Sequence, residues 1–150
     1  ELILALDGIQ DPGNLGTIIR IADWFGIKHI ICSEETADCW NPKVVQATMG
    51  SIARVQIHYQ NLISFINSLP SDYPIYGTLL NGENIYNENL SNKGLIIMGN
   101  EGKGISPLIK DRVTKKLLIP NFSHQESKAE SLNVAVATAI VCSEFRRNII

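Results

Sequence analysis

No segment of this chain is apolar for long enough to cross a bilayer. The longest such run, Asn133 to Cys142, opens with a polar residue and falls far short of the roughly 18 residues a span requires. The N-terminus lacks the pattern of a secretory signal. Cysteine is scarce: Cys32, Cys39 and Cys142 are odd in number and form no C-x-x-C pair. That argues against a disulfide scaffold or a zinc ribbon and for a reducing compartment, so a cytoplasmic location is expected. His29, His58 and His124 lack metal-ligand spacing. No G-x-S-x-G nucleophile elbow is present. A Walker A loop is excluded because Ile97 stands where its first glycine belongs, and G-x-G-x-x-G because Pro107 replaces the last glycine.

What is present is an ordinary globular composition. The chain has 150 residues, 45% hydrophobic and 19% charged, with a formal net charge of −2. This supports one domain with one core and excludes disorder. The total hides an asymmetry. Residues 1–92 carry 4 basic and 10 acidic side chains, whereas residues 93–150 carry 9 and 5. A polyanion-binding face would draw mainly on the second part.

Short apolar runs alternate with helical periods. Strands are expected at Leu2–Leu6, Lys28–Cys32, Val55–Tyr59, Ile75–Leu80 (ended by an Asn81-Gly82 turn), Gly94–Met98 and Lys116–Ile119. Helices are expected at Leu15–Phe25, Pro42–Thr48, Leu62–Leu69, Pro107–Val113 and Leu132–Arg147. This alternation predicts an α/β fold, a mainly parallel sheet with helices on both faces. Ligands of such sheets sit beyond the carboxyl ends of the strands, which directs attention to the loops after Leu6, Leu80, Met98 and Ile119. A strand opening at Glu1 predicts a domain cut from a longer chain.

Three segments could carry chemistry. In Asp11-Pro12-Gly13-Asn14-Leu15-Gly16-Thr17-Ile18-Ile19-Arg20, Asn14 is placed to cap a helix. Arg20, among apolar neighbours, calls for a carboxylate or phosphate, unless it is simply a surface arginine. In Met98-Gly99-Asn100-Glu101-Gly102-Lys103-Gly104, glycines after a strand allow close backbone approach to a ligand, or merely a tight turn. In Ile119-Pro120 followed by Ser131-Leu132-Asn133, either Ser131 or Asn133 could cap the last helix. Ala135, Ala137 and Ala139 permit close helix packing. Trp24 and Trp40 read as core or interface residues.

Together these segments resemble the three motifs of the SpoU (TrmH-type) branch of the SPOUT RNA methyltransferases. Asn14, Gly16 and Arg20 match the first motif, Gly99-Asn100-Glu101-Gly102-Lys103-Gly104 the second, and Ile119-Pro120 with Ser131-Leu132-Asn133 the third. The resemblance implies a catalytic domain over residues 1–150, with an RNA-recognition domain on its N-terminal side. It implies a C-terminal deep trefoil knot and a homodimer packed through the first and last helices. It also implies S-adenosylmethionine as cofactor and S-adenosylhomocysteine as product. Gly99, Ile119 and Leu132 are the matching cofactor positions, with Thr78, Leu79 and Gly102 as their neighbours and Asn133 also on the cofactor side. The long loop between Pro120 and Ser131, with His124, Gln125, Glu126, Lys128 and Glu130, departs from the shorter versions common in the family. Such a loop is expected to order on ligand binding.

The implied activity is methyl transfer to a ribose 2′-hydroxyl of RNA, ribosomal RNA first and transfer RNA second, with no metal. A 2′-hydroxyl holds its proton tightly, so it must be positioned and its O–H bond weakened. By resemblance Arg20 orients and activates it. Glu101 orients Arg20 or nearby loop amides, while Asn14, Ser131 and Asn133 hold the arginine, an RNA phosphate and the cofactor loop. The alternative is a cofactor-binding dimerisation module of a larger RNA-binding protein, inactive as an isolated domain.

Overall fold

The computed structural model describes residues 1–126 and 130–147. Along them run β1 (Leu2–Asp7), α1 (Pro12–Trp24), β2 (His29–Cys32), α2 (Pro42–Thr48), β3 (Gln56–Tyr59), α3 (Leu62–Ser68), β4 (Ile75–Asn84), β5 (Gly94–Gly99), α4 (Pro107–Lys110), β6 (Lys115–Leu118) and α5 (Val134–Arg146). The strands form one sheet in the order β3-β2-β1-β5-β4-β6, and each of these pairings is parallel. The expected α/β architecture is therefore observed. Since parallel strands share a direction, every carboxyl end opens at one end of the sheet. β1, β5, β4 and β6 are successive neighbours, so the loops leaving them lie side by side.

Alternation along each strand builds two cores. Leu4 and Leu6 of β1, with Ile96 and Met98 of β5, face α1, α2 and α5, meeting Leu15, Ile18, Val44 and Val141. Ala5, Leu95 and Ile97 face the other way, against Leu62 and Ile66 of α3 and Ile109 of α4. Burying each large aliphatic side chain contributes about 1.5–3 kcal/mol before conformational entropy is set against it. α2 runs beside α1 because Gly16 has no side chain. A Cβ there would stand 2.4 Å from the Ala47 Cβ and 2.7 Å from the Val44 carbonyl oxygen. At the far end of α1, Asp23 accepts from Ser51 Oγ at 2.8 Å and from Arg54 Nε at 2.9 Å.

Several expectations are corrected. β4 does not stop at the Asn81-Gly82 turn but continues to Asn84. Thr78 and Glu83 both pair with Leu117, so residues 79–82 are looped out of the ladder as a bulge. Gly82 then crosses β6 so closely that a Cβ would stand 2.6–2.8 Å from Leu117 backbone atoms. α4 ends at Lys110, earlier than its apolar pattern suggested. Of the two alternatives for Trp24 and Trp40, the core is excluded, since they are 84% and 69% exposed, and the interface alternative stands. No helix of the described residues is long and apolar enough to cross a membrane. The expected role of Lys128 in the loop, and the run through Asn148–Ile150, lie outside the described residues.

Candidate functional site

α1 starts three residues before the sequence suggested, and this changes the role of Asn14. Asp11, with Pro12 behind it at the first helical position, is the N-cap, and its Oδ2 accepts from the Asn14 backbone N–H at 2.9 Å. Asn14 therefore does not cap α1. It sits in the first turn with its side chain free to reach other loops. Its Nδ2 donates to Glu101 Oε2 at 3.4 Å, and its Oδ1 accepts from Asn133 Nδ2 at 3.0 Å. Asn133 is the N-cap of α5, where its Oδ1 accepts from the N–H groups of Ala135 (2.8 Å) and Val136 (3.2 Å). One residue from each of the three motifs thus joins a single relay.

Glu101 closes the relay on the loop after β5. Its carboxylate accepts from the Gln10 N–H at 3.2 Å and the Asp11 N–H at 2.9 Å. Burial pushes its carboxyl up, but the amides of Asp11, Glu101 and Gln10 and the Asn14 side chain outweigh this, holding it below the usual value. Of the two targets expected for Glu101, the loop amides are its partners and Arg20 is not.

The glycine-rich loop is folded back on itself. Asn100 and Gly104 exchange two backbone bonds, of 3.0 and 2.9 Å. Gly99 is required by this crossing, since a Cβ there would stand 2.4 Å from both the Gly104 carbonyl carbon and the Ile105 nitrogen. A Cβ on Gly102 would meet nothing nearer than Asn100 Oδ1 at 3.7 Å, so the outer face of the loop is open.

The remaining expected positions gather at the same end of the sheet. Thr78 and Leu79 stand where β4 leaves its ladder, Gly99 ends β5, Ile119 follows β6, and Ser131 and Leu132 precede α5. Thr78, Leu79, Gly99 and Ile119 are half-buried, whereas Gly102, Ser131 and Leu132 are exposed. Arg20 lies in the third turn of α1, exposed and without a hydrogen-bond or ion-pair partner among the described residues. The acceptor its surroundings called for is not supplied by the described part of this chain.

Two supporting residues were missed. Asp7, 6% exposed, accepts from the Ser106 N–H at 2.7 Å, and Asn100 Nδ2 donates to the Gly8 carbonyl at 2.6 Å. Asp11 was also missed as the cap, although an Asp directly before a Pro was a readable helix-start signal. The cysteines are not candidate nucleophiles: all three are buried, and burial pushes the thiols of Cys32 and Cys142 up to about 12. His29 Nδ1 faces His58 Nε2 at 3.3 Å, a pairing that links β2 to β3.

The parallel α/β sheet thus carries strand-end loops tied together through Glu101, Asn14 and Asn133. The chain belongs to the SpoU rRNA Methylase family, whose profile matches residues 1–143. It is 36% identical over 146 residues to the 23S rRNA (guanosine(2553)-2′-O)-methyltransferase RlmP of Bacillus subtilis, covering 96% of this chain and 57% of that protein. A TrmH-family protein from Porphyromonas gingivalis superposes with a TM-score of 0.91 and 46% identity, covering 97% of this chain and 59% of that one. An AdoMet-bound rRNA methyltransferase from Sinorhizobium meliloti gives 0.89 and 36%, over 100% and 57%. The chain thus spans well under two thirds of the length of these relatives.

Proposed function

We propose that this domain transfers a methyl group from S-adenosylmethionine to a ribose 2′-hydroxyl of RNA, with ribosomal RNA as the first substrate class and transfer RNA as the second. The observation that carries the reading is the relay from Glu101 through Asn14 to Asn133, because it joins the three motifs at one end of the sheet. The names of RlmP and of the AdoMet-bound relative support the reaction and the cofactor.

The residues present suit that cofactor. Leu79, Ile119 and Leu132 offer partly exposed apolar surface, and the loop after β5 is open at Gly102 and Gly104, a combination that suits an adenosine needing apolar walls and close backbone approach. When bound, the cofactor supplies a methyl group already activated on a sulfonium. Arg20 orients the 2′-hydroxyl and, by stabilising negative charge on the oxygen, favours loss of its proton to water as the oxygen–methyl bond forms and the methyl–sulfur bond breaks. An always-charged guanidinium suits that task better than proton abstraction. Glu101, Asn14 and Asn133 hold the first turn of α1 against the loop after β5 and the start of α5. Ser131, exposed two residues before Asn133, is assigned to the RNA side of the site.

The full proposal includes a C-terminal trefoil knot, supported by the crossing of Gly82 over Leu117 and by the return of α5 to pack on α1. It includes a homodimer, supported by the exposed stripe Thr17, Arg20 and Trp24 on α1 and by exposed Val136 on α5. In this proposal the dimer sets Arg20 of one copy beside the basic part of the other. A separate RNA-recognition domain and a cytoplasmic setting complete it.

Calorimetry with S-adenosylmethionine, followed by transfer of labelled methyl groups to ribosomal and transfer RNA, tests the proposal. Binding with transfer, mapped to a 2′-O-methyl site, is expected. Binding without transfer to either RNA overturns it in favour of a cofactor-binding dimerisation module.

A further inference from the structure

We infer that Asn100, at the unassigned position of the second motif, is a positioning residue that locks the Glu101 loop onto the loop leading into α1. The inference rests on the methyl-transfer reading above. Asn100 uses nearly all of its hydrogen-bonding capacity, and it does so on two different loops. Its Oδ1 accepts from the Gly102 N–H at 2.9 Å and the Lys103 N–H at 3.0 Å, which shapes its own turn. Its backbone N–H and C=O both pair with Gly104. Its Nδ2 crosses to the other loop and donates to the Gly8 carbonyl at 2.6 Å.

Gly8 is prepared to receive it. A φ of +77° turns its carbonyl, a conformation that favours glycine, and its N–H is held by Ser33 Oγ at 2.8 Å. The neighbouring Asp7 holds the other foot of the glycine loop through the Ser106 N–H. Consecutive residues at the end of β1 thus grip both ends of the segment 100–106. Glu101 is the next residue after Asn100. Its reach to the Gln10 and Asp11 amides, two and three residues after Gly8, depends on how the two loops are registered. Without the Nδ2 bond the loop retains its own turn but loses its register with α1. Glu101 then no longer holds Asn14.

Asn100→Asp separates these two jobs. The carboxylate keeps an acceptor for Gly102 and Lys103 but sets a second oxygen against the Gly8 carbonyl. At about pH 8 the variant is expected to lose roughly 10–100-fold in kcat, the usual consequence of misplacing an active-site group by about an ångström. Its affinity for S-adenosylmethionine should stay within about threefold, so the loss falls on kcat. At a pH low enough to protonate the new carboxyl it donates to Gly8 again, so the deficit relative to wild type should shrink at least about fivefold. Wild type serves as the reference at each pH because the neighbouring charged groups, Asp7, Asp11, Glu101 and Lys103, are the same in both proteins. In amide NMR spectra of the full chain, the Gln10 and Asp11 N–H signals should move upon substitution.

A wild-type kcat, a deficit equal at both pH values, or unmoved Gln10 and Asp11 signals would overturn the inference. Should Asn100→Asp not fold, Asn100→Ser keeps a turn acceptor too short to reach Gly8. It should show the same signal shifts and a deficit independent of pH, and unshifted signals would overturn the inference equally. An inert wild type overturns the methyl-transfer reading alone, since the signals report the loop register without any turnover.

Discussion

Asn133 Nδ2 donates to Asn14 Oδ1 across 3.0 Å and 119 residues of sequence. The direction of this bond is dictated from both ends. The α5 amides only donate, so Asn133 must turn its oxygen to them and its nitrogen to Asn14. Glu101 only accepts, so Asn14 must turn its nitrogen to it. No amide flip can repair a lost donor anywhere in the relay.

Asn14→Asp is therefore expected to be more harmful than its size suggests. It faces Glu101 with a second carboxylate and leaves both without the donor between them. Methyl transfer should fall by roughly 10–100-fold and stability by about 1–3 kcal/mol. Both are checked by steady-state kinetics and urea unfolding. Unchanged kinetics would separate the relay from the chemistry.

Arg20→Ala should behave in the opposite way. The side chain is exposed and has no hydrogen-bond or ion-pair partner among the described residues, so the stability of the single subunit should change by no more than about 0.5 kcal/mol. Methyl transfer should fall by about 10²–10⁴-fold while calorimetric cofactor binding is retained. Wild-type turnover would remove Arg20 from the mechanism.

Gly16 belongs to the same motif yet has a structural task. Its missing side chain is what lets α2 lie against α1 at Val44 and Ala47. Gly16→Ala should cost about 1–3 kcal/mol by overpacking, measured by denaturation. The fraction that remains folded should turn over normally, which would tell a packing glycine from a ligand-contacting one.

The layout of the site was largely legible in the sequence, its wiring less so. Strand periodicity placed β1, β2, β5 and β6 to within a residue, and the three motifs lie where strand-end loops were expected. The role of Asn14 was misread because capping was assigned from the residue beside the apolar period, while Asp11-Pro12 one turn earlier formed the better start. Asn81-Gly82 read as a terminator because turn residues report local conformation only. That β4 resumes pairing after it depends on Leu117, which is distant in sequence. Asn100 and Asp7 could not be identified as loop ties for the same reason, since their partners lie 92 and 99 residues away.

Glu101 should also leave a signature in the pH dependence of folding. Its carboxyl lies below the ordinary 4.5 in the folded chain because the Asp11, Glu101 and Gln10 amides and Asn14 outweigh the opposing effect of burial. A group lowered in the folded state binds its proton more readily when unfolded. Its contribution to stability is therefore complete above the unfolded value and is lost as pH falls through the folded one. Glu101→Gln removes that contribution at every pH. The stability gap between wild type and variant should be widest at about pH 7 and close progressively below about pH 4.5. Urea unfolding of both proteins across this range checks it. A gap that stays constant down to about pH 3 would mean that the Gln10 and Asp11 amides do not favour the charged carboxylate.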